Sequence, residues 1–97
     1  MITAGQCRAA RALLNWSREQ LAEVSRVSLR TIIEHERGSH VLGKVTLDSL
    51  RRTLESAGVE FLAENDKGVG VRLRKGTPRG NPSASIKVEN LNAENDE

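Results

Sequence analysis

The sequence predicts a mainly α-helical fold, in which four short helices are followed by a β-hairpin and a disordered C-terminal tail. Apolar residues recur every three to four positions through residues 3–57, which indicates amphipathic helices. Beyond Gly58 the period changes to two, which is typical of strands. From Gly76 on, the chain holds both prolines and no aromatic residue, which favours disorder.

The composition limits the chain to one small core. It has 97 residues, 37% of them hydrophobic, and its aromatic residues are Trp16 and Phe61. Because it contains neither a long apolar run nor a secretory signal, we expect no membrane span and a cytoplasmic location. The single cysteine, Cys7, is expected to be a small buried hydrophobe rather than a reactive thiol. Without Cys/His clusters, no metal or other cofactor is expected.

Charge divides the chain into a basic body and an acidic tail. Residues 1–79 carry 14 basic against 9 acidic side chains, a net charge of +5, whereas residues 80–97 have a net charge of −3. A basic body is compatible with DNA binding but does not establish it.

The helices are delimited by cap residues. Each predicted start is a Ser or Thr whose side-chain oxygen can accept a hydrogen bond from the first turn, and two of these have a Gln three residues later, as in a capping box. Asn15, Gly38 and Gly58 fit as stops. The predicted helices cover 4–14, 18–25, 28–37 and 47–57, with caps at Thr3, Ser17, Ser28 and Thr46.

The segment 59–75 is predicted to be a β-hairpin that turns at residues 65–68, with Gly68 in the left-handed conformation. An isolated hairpin is marginal in water. Its apolar face must therefore pack on the helices of its own chain or extend a sheet with another chain. That face comprises Val59, Phe61, Val71 and Leu73.

Two short helices joined by a tight turn are the pattern of a helix-turn-helix. The stretch WSREQLA (16–22), followed by VSLRTI (27–32) and ERG (36–38), resembles the Cro and phage-repressor class, the Xre family. The resemblance covers about residues 3–57. It implies a four-helix, repressor-like DNA-binding domain over 1–58, with the hairpin 59–75 and the tail 76–97 as extensions.

The resemblance also implies roles for individual residues. The start of the second helix and the end of the third contact phosphates, the opening of the third helix enters the major groove, and Glu34 faces bases. An ion pair between Arg11 and Glu36 is implied as well. The expected DNA-binding residues are Ser17, Arg18, Ser28, Leu29, Arg30, Glu34 and Arg37.

A helical wheel of the third helix supports two faces. At about 100° per residue, Ile32, His35 and Glu36 cluster within about 60° of one direction, whereas Arg30, Glu34 and Arg37 point the other way. Arg30 has the geometry to donate two hydrogen bonds to guanine, and Glu34 to accept from cytosine or to hold Arg30.

Each assignment has a simpler alternative. Arg30 and Glu34 would also form an ordinary surface pair, Leu29 would also fit the core, and Arg18 and Arg37 would also be plain surface charges. Arg51 and Arg52 are interpreted as a solvated face of the fourth helix rather than as DNA ligands.

Two residues depart from the family pattern. Arg26 stands where the family usually has glycine, and since positive φ would cost an arginine about 1 kcal/mol, a rebuilt turn is expected. His35 stands where the family has an apolar residue, and we expect it to be partly buried with a hydrogen bond, rather than a pH sensor or a metal ligand.

The leading interpretation is a sequence-specific regulator of transcription, a repressor, that binds double-stranded DNA as a homodimer. Leu62 on the outer hairpin face is the first candidate for the dimer contact, and a hairpin packed within one monomer is the alternative. A second hypothesis is an antitoxin-like adaptor that binds a protein through its hairpin or tail. No nucleophile with a base and no phosphate-binding glycine loop can be assembled, so an enzyme is not expected.

Overall fold

The computed structural model describes residues 2–39 and 41–78. This part of the chain forms four α-helices followed by an antiparallel two-stranded hairpin, in the predicted order. The tail prediction for 76–97 lies outside the described residues from 79 onward and stays a prediction. The helices are α1 (Ala4–Leu14), α2 (Arg18–Ser25), α3 (Leu29–Glu36) and α4 (Lys44–Ser56), and the strands are β1 (Val59–Leu62) and β2 (Gly70–Leu73).

The first two helices begin in the predicted capping boxes. The Gln6 backbone N–H donates to Thr3 Oγ1 at 3.0 Å, and the Thr3 N–H donates to Gln6 Oε1 at 2.9 Å. Ser17 and Gln20 make the same reciprocal pair at 3.0 and 2.7 Å. Asn15 ends α1 in the left-handed conformation with φ 65°, so both boundaries of α1 are as predicted.

The predicted start of α4 is wrong. The helix begins at Lys44, with Gly43 as its N-cap, and Thr46 lies inside the first turn. Buried Leu42 fixes the chain in the core just before the helix, and the extended backbone of Gly43 (φ −67°, ψ 162°) leads directly into it. The Leu47 N–H then bonds to the Gly43 carbonyl at 3.0 Å, so starting early adds helical hydrogen bonds that a Thr46 cap would lose.

The core is continuous between the helices and the hairpin. Val59 is fully buried, and Phe61, Val71 and Leu73 pack against the same cluster. The strands pair with Val59 opposite Leu73 and Phe61 opposite Val71, which places these four side chains on one face, as predicted. The remaining core residues come from the helices and the segments joining them: Ile2, Cys7, Ala10, Leu14, Trp16, Leu21, Ile32, Leu42, Leu47, Leu50 and Leu54.

Gln6 ties α1 to the hairpin. Its Oε1 serves the capping box, while its Nε2 donates to the Gly70 carbonyl at 3.0 Å and lies 3.5 Å from the Leu62 carbonyl. One buried amide therefore satisfies groups in two elements that are far apart in sequence. The hairpin packs on α1 and α4 of its own chain, so its apolar face does not require a second chain to cover it.

Candidate nucleic-acid interface

The connection between α2 and α3 is a tight turn of three residues, 26–28, as expected for a helix-turn-helix pattern. Arg26 adopts φ 64° and ψ 21°, the left-handed conformation that glycine adopts most easily, so the expectation of a rebuilt turn is wrong. Its backbone N–H bonds to the Ala22 carbonyl at 2.9 Å. Two further bonds hold the turn, since Ser25 Oγ accepts from the Val27 N–H at 3.2 Å and Ser49 Oγ donates to the Ser25 carbonyl at 3.2 Å. These contacts offset the strain at Arg26.

Ser28 starts α3 in the predicted manner. Its Oγ accepts from the Thr31 backbone N–H at 3.1 Å and donates to Thr31 Oγ1 at 2.7 Å. The opening of α3 is thereby fixed while Ser28 itself remains exposed.

The two faces of α3 separate as the helical wheel predicts. Ile32, His35 and Glu36 are buried. Arg30 is exposed over 87% of its side chain and Glu34 over 36%, and their side chains meet at 3.3 Å. An ion pair this exposed contributes little to stability, so α3 is held by its inner face and leaves its charged face accessible.

The positions of Leu29 and Arg37 complete this face. Leu29 is half-buried, and it is neither one of the buried core residues nor one of the half-buried residues packed on them. Arg37 caps the end of α3 through its backbone, and its side chain is exposed without an acidic partner within 4.0 Å among the described residues. Both are accessible to a ligand that reaches the outer side of α3.

Glu36 is the electrostatic centre of the domain. Its carboxylate is fully buried and accepts two hydrogen bonds from Arg11, from Nε and Nη2, each at 2.7 Å. This is the ion pair that the sequence resemblance implied. Arg11 also donates through Nη1 to the Trp16 carbonyl at 3.0 Å, so its guanidinium ties α1, α3 and the α1–α2 connection together.

Further donors converge on Glu36. Arg18 Nε lies 3.1 Å from Oε1, the Cys7 thiol donates to Oε2 at 3.3 Å, and Arg8 donates to the backbone carbonyl of Glu36. Sequence reasoning missed all three of these contacts. The contact of Arg8 could have been predicted, because Arg8 lies three residues before Arg11 and therefore on the same side of α1. The contact of Arg18 could not, because Arg18 lies on α2 and its spacing from Arg11 in the sequence does not show that the two side chains meet.

The pKa shifts follow from this arrangement. Burial alone would raise the pKa of Glu36, but the hydrogen bonds and charge of Arg11 and the bond from Arg18 outweigh it, so the pKa lies below the usual value. Burial and the neighbouring Glu36 raise the pKa of the Cys7 thiol to about 12. Cys7 is buried, as predicted, and its raised pKa disfavours the thiolate form that reacts.

Arg18 was expected to contact phosphate, and the structure adds a second attachment for it. The side chain is 44% exposed, and only its Nε is bonded to Glu36. Its two terminal nitrogens make no hydrogen bond within the described residues. The guanidinium is consequently held on its inner edge and open on its outer edge, next to the exposed cap residue Ser17.

His35 differs from its prediction. It is buried as expected, but its Nε2 has no hydrogen-bond partner in the described part of the chain. Burial lowers the pKa of the His35 ring, which favours its neutral form. No group of His, Cys, Asp and Glu residues suited to a metal ion occurs among the residues described.

No protein-family model matches the chain, and no curated protein matches it. Within the described ranges, no helix has both the length and the apolar character needed to cross a membrane.

Proposed function

We propose that this chain is a sequence-specific DNA-binding regulator of transcription, a repressor, that reads the major groove with α3. One observation carries the proposal: α3 is anchored by a buried ion pair on one side and presents Arg30, Glu34 and Arg37 on the other. A helix that is firmly held and exposes a charged face fits the major groove, where base edges offer hydrogen-bond partners.

The roles proposed within this face are those that the resemblance implies, and the exposure of the side chains supports them. Arg30 is the proposed base-reading residue, with Glu34 either holding it or accepting from cytosine. Leu29 is proposed to touch a thymine methyl, and Ser28, which opens the helix beside it, to enter the groove with it. Phosphate contacts are proposed for Ser17, Arg18 and Arg37. Among the described residues, the terminal guanidinium nitrogens of Arg18, at the start of α2, and of Arg37, at the end of α3, have no partner.

The direct test is selection of bound sites from random duplex DNA. The full-length chain is expected to enrich a defined sequence, and Arg30→Ala is expected to lose preference at one base pair, with a cost of about 1–3 kcal/mol. Arg72→Ala removes another exposed arginine that is paired with a glutamate, this one on the hairpin, so it serves as the matched control and should leave the selected sequence unchanged.

Two results would contradict the proposal at different levels. Failure of the unmodified chain to enrich any sequence would refute DNA recognition. If Arg30→Ala instead lowered affinity equally for all sequences, Arg30 would be a phosphate contact and the assignment of base reading would be wrong.

An adaptor that binds a protein through its hairpin is the second candidate. It is favoured by Leu62 and Val69, which are exposed beside a groove of about 480 Å³ between the hairpin, α1 and α4. Leu62→Glu separates the two functions: an adaptor would lose its partner, whereas a DNA regulator would keep its selected sequence. Deletion of residues 76–97, with DNA affinity measured at low salt, tests the separate hypothesis that the acidic segment competes with DNA.

A further inference from the structure

The outer side of α4 carries an apolar residue that the fold does not use. Val45 is 84% exposed, although it lies within the first turn of a 13-residue helix whose other side supplies Leu47, Leu50 and Leu54 to the core. A shallow groove of about 310 Å³ runs along this outer side. The residues lining it, here called the α4 stripe, are Val45, Asp48, Ser49, Arg52 and Thr53.

We propose that the α4 stripe binds the α4 stripe of a second copy of this chain, with the two helices antiparallel about a two-fold axis. In such a pair, residues on either side of the helix midpoint face each other. Asp48 of one copy then meets Arg52 of the second copy, and symmetry repeats the contact. Ser49 lies near the axis, where a small side chain permits close approach of the helices.

The charges needed for this contact are available. Arg52 is exposed and has no acidic partner within 4.0 Å in the described part of the chain. Asp48 is bonded to Arg51 at 3.4 Å, but Arg51 also has Glu55 at 3.1 Å and does not depend on Asp48. A stripe that offers one free cation and one replaceable anion, four residues apart on one face, is complementary to an inverted copy of itself.

The apolar ends of the stripe fit the same arrangement. When the helices run antiparallel, Val45 of one copy lies over the Thr53 methyl and the aliphatic stem of Arg52 in the second copy. Both Val45 side chains then leave water. This accounts for a strongly exposed valine on a helix that is otherwise polar on its outer side.

The outer hairpin face, which the sequence analysis favoured, is less suited to a second copy. Glu60 and Arg72, at the centre of that face, already pair with each other at 2.7 Å. Leu62 is 37% exposed, less than half the value for Val45.

The size of the stripe sets the expected strength. A helix of this length spans about 20 Å, so the contact is smaller than the roughly 800 Å² per partner of a standard interface. The dimer should be weak and reversible in solution, with a dissociation constant in the micromolar range or above. In its functional role the dimer rests on the proposed function, because two DNA half-sites are read by two paired recognition helices.

The test measures mass without DNA, so its outcome is independent of the proposed function. Sedimentation velocity across micromolar to millimolar concentrations should show a reversible monomer–dimer equilibrium for the full-length chain. Val45→Glu should raise the dissociation constant more than about tenfold, because it buries a charge in each apolar end. Val24→Glu, which makes the same change at an exposed valine on α2, is the matched control and should leave the equilibrium unchanged.

Charge reversal gives the sharper result. Asp48→Arg or Arg52→Asp alone should each weaken the dimer about tenfold, and the double variant should recover it because the two charges have been exchanged. Three results would overturn the proposal. The chain could be monomeric at every concentration, the dimer could be lost with Leu62→Glu but not with Val45→Glu, or the double variant could dimerise no better than the single variants. Circular dichroism confirms that each variant is folded.

Discussion

Replacement of Glu36 by glutamine tests whether the buried carboxylate holds the domain together. Glutamine keeps the shape and one acceptor oxygen, but it removes the charge and places an NH₂ group against the donors of Arg11. The Glu36 side chain is fully buried and that of Arg11 is 16% exposed, so the cation left behind is poorly solvated. Breaking a buried pair of this kind costs about 3–5 kcal/mol.

The expected loss lies near the lower end of that range. Arg18 is 44% exposed and can turn to water, so its bond to Glu36 adds little to the total. A loss of about 3 kcal/mol in a domain of this size corresponds to a fall in Tm of about 12 °C or more. Urea unfolding followed by the fluorescence of buried Trp16 gives the free energy directly.

Glu34→Gln is the matched control, because it makes the same chemical change in the exposed pair with Arg30 and should cost at most about 0.5 kcal/mol. The double variant Arg11→Met, Glu36→Met should recover much of the loss, since replacing both partners removes the uncompensated charge. A Glu36→Gln loss below about 1 kcal/mol, or strictly additive effects of the two sites, would refute the assignment of Glu36 as the electrostatic centre.

The pH dependence follows from the direction of the shift. Because the pKa of Glu36 is lower in the folded chain than its ordinary value of 4.5, the stabilisation is present above pH 4.5 and is lost as the pH falls through the folded value. Glu36→Gln should therefore reduce the acid sensitivity of unfolding below pH 4.5.

Three further changes have outcomes that the structure predicts. Arg26→Gly should raise the free energy of unfolding by about 0.5–1 kcal/mol, because relief of the left-handed strain exceeds the added unfolded-state entropy; urea unfolding that shows a loss would contradict this. Gln6→Ala should cost about 1–2 kcal/mol and increase hydrogen exchange of the hairpin amides more than that of α3. Burial lowers the pKa of His35, so its contribution to stability is present above pH 6.5 and is lost as the pH falls through the folded pKa. Thermal unfolding of His35→Phe should therefore depend less on pH in that range. An unchanged pH profile would exclude His35 as the cause.

Much of the fold was predictable because its determinants are local. The capping boxes at Thr3 and Ser17 need only two residues three positions apart, and the faces of the hairpin need only a period of two. The end of α1 followed from the tolerance of Asn15 for the left-handed conformation. These local patterns predict structure reliably because their effect does not depend on residues far away in the sequence.

The errors and omissions depend on contacts between distant residues. Thr46 looked like a cap, yet burial of Leu42 moves the start of α4 to Lys44, and a local pattern does not reveal this. Gln6 contacts Gly70 across 64 positions, and Arg18 contacts Glu36 across 18. The Arg11–Glu36 pair spans 25 positions and was expected only because the resemblance implied it.

The placement of Arg18 links the interior to the proposed DNA-binding face. Glu36 holds the inner nitrogen of Arg18, so the carboxylate that stabilises α3 also orients a residue proposed to bind phosphate. A change at Glu36 should then act twice, on the stability of the fold and on the geometry of Arg18 at the surface. Measured under conditions where the variant remains folded, DNA affinity of Glu36→Gln should still fall for all sequences alike, whereas Arg30→Ala should alter which sequence is preferred. That contrast distinguishes a residue that positions the phosphate contacts from one that reads the bases.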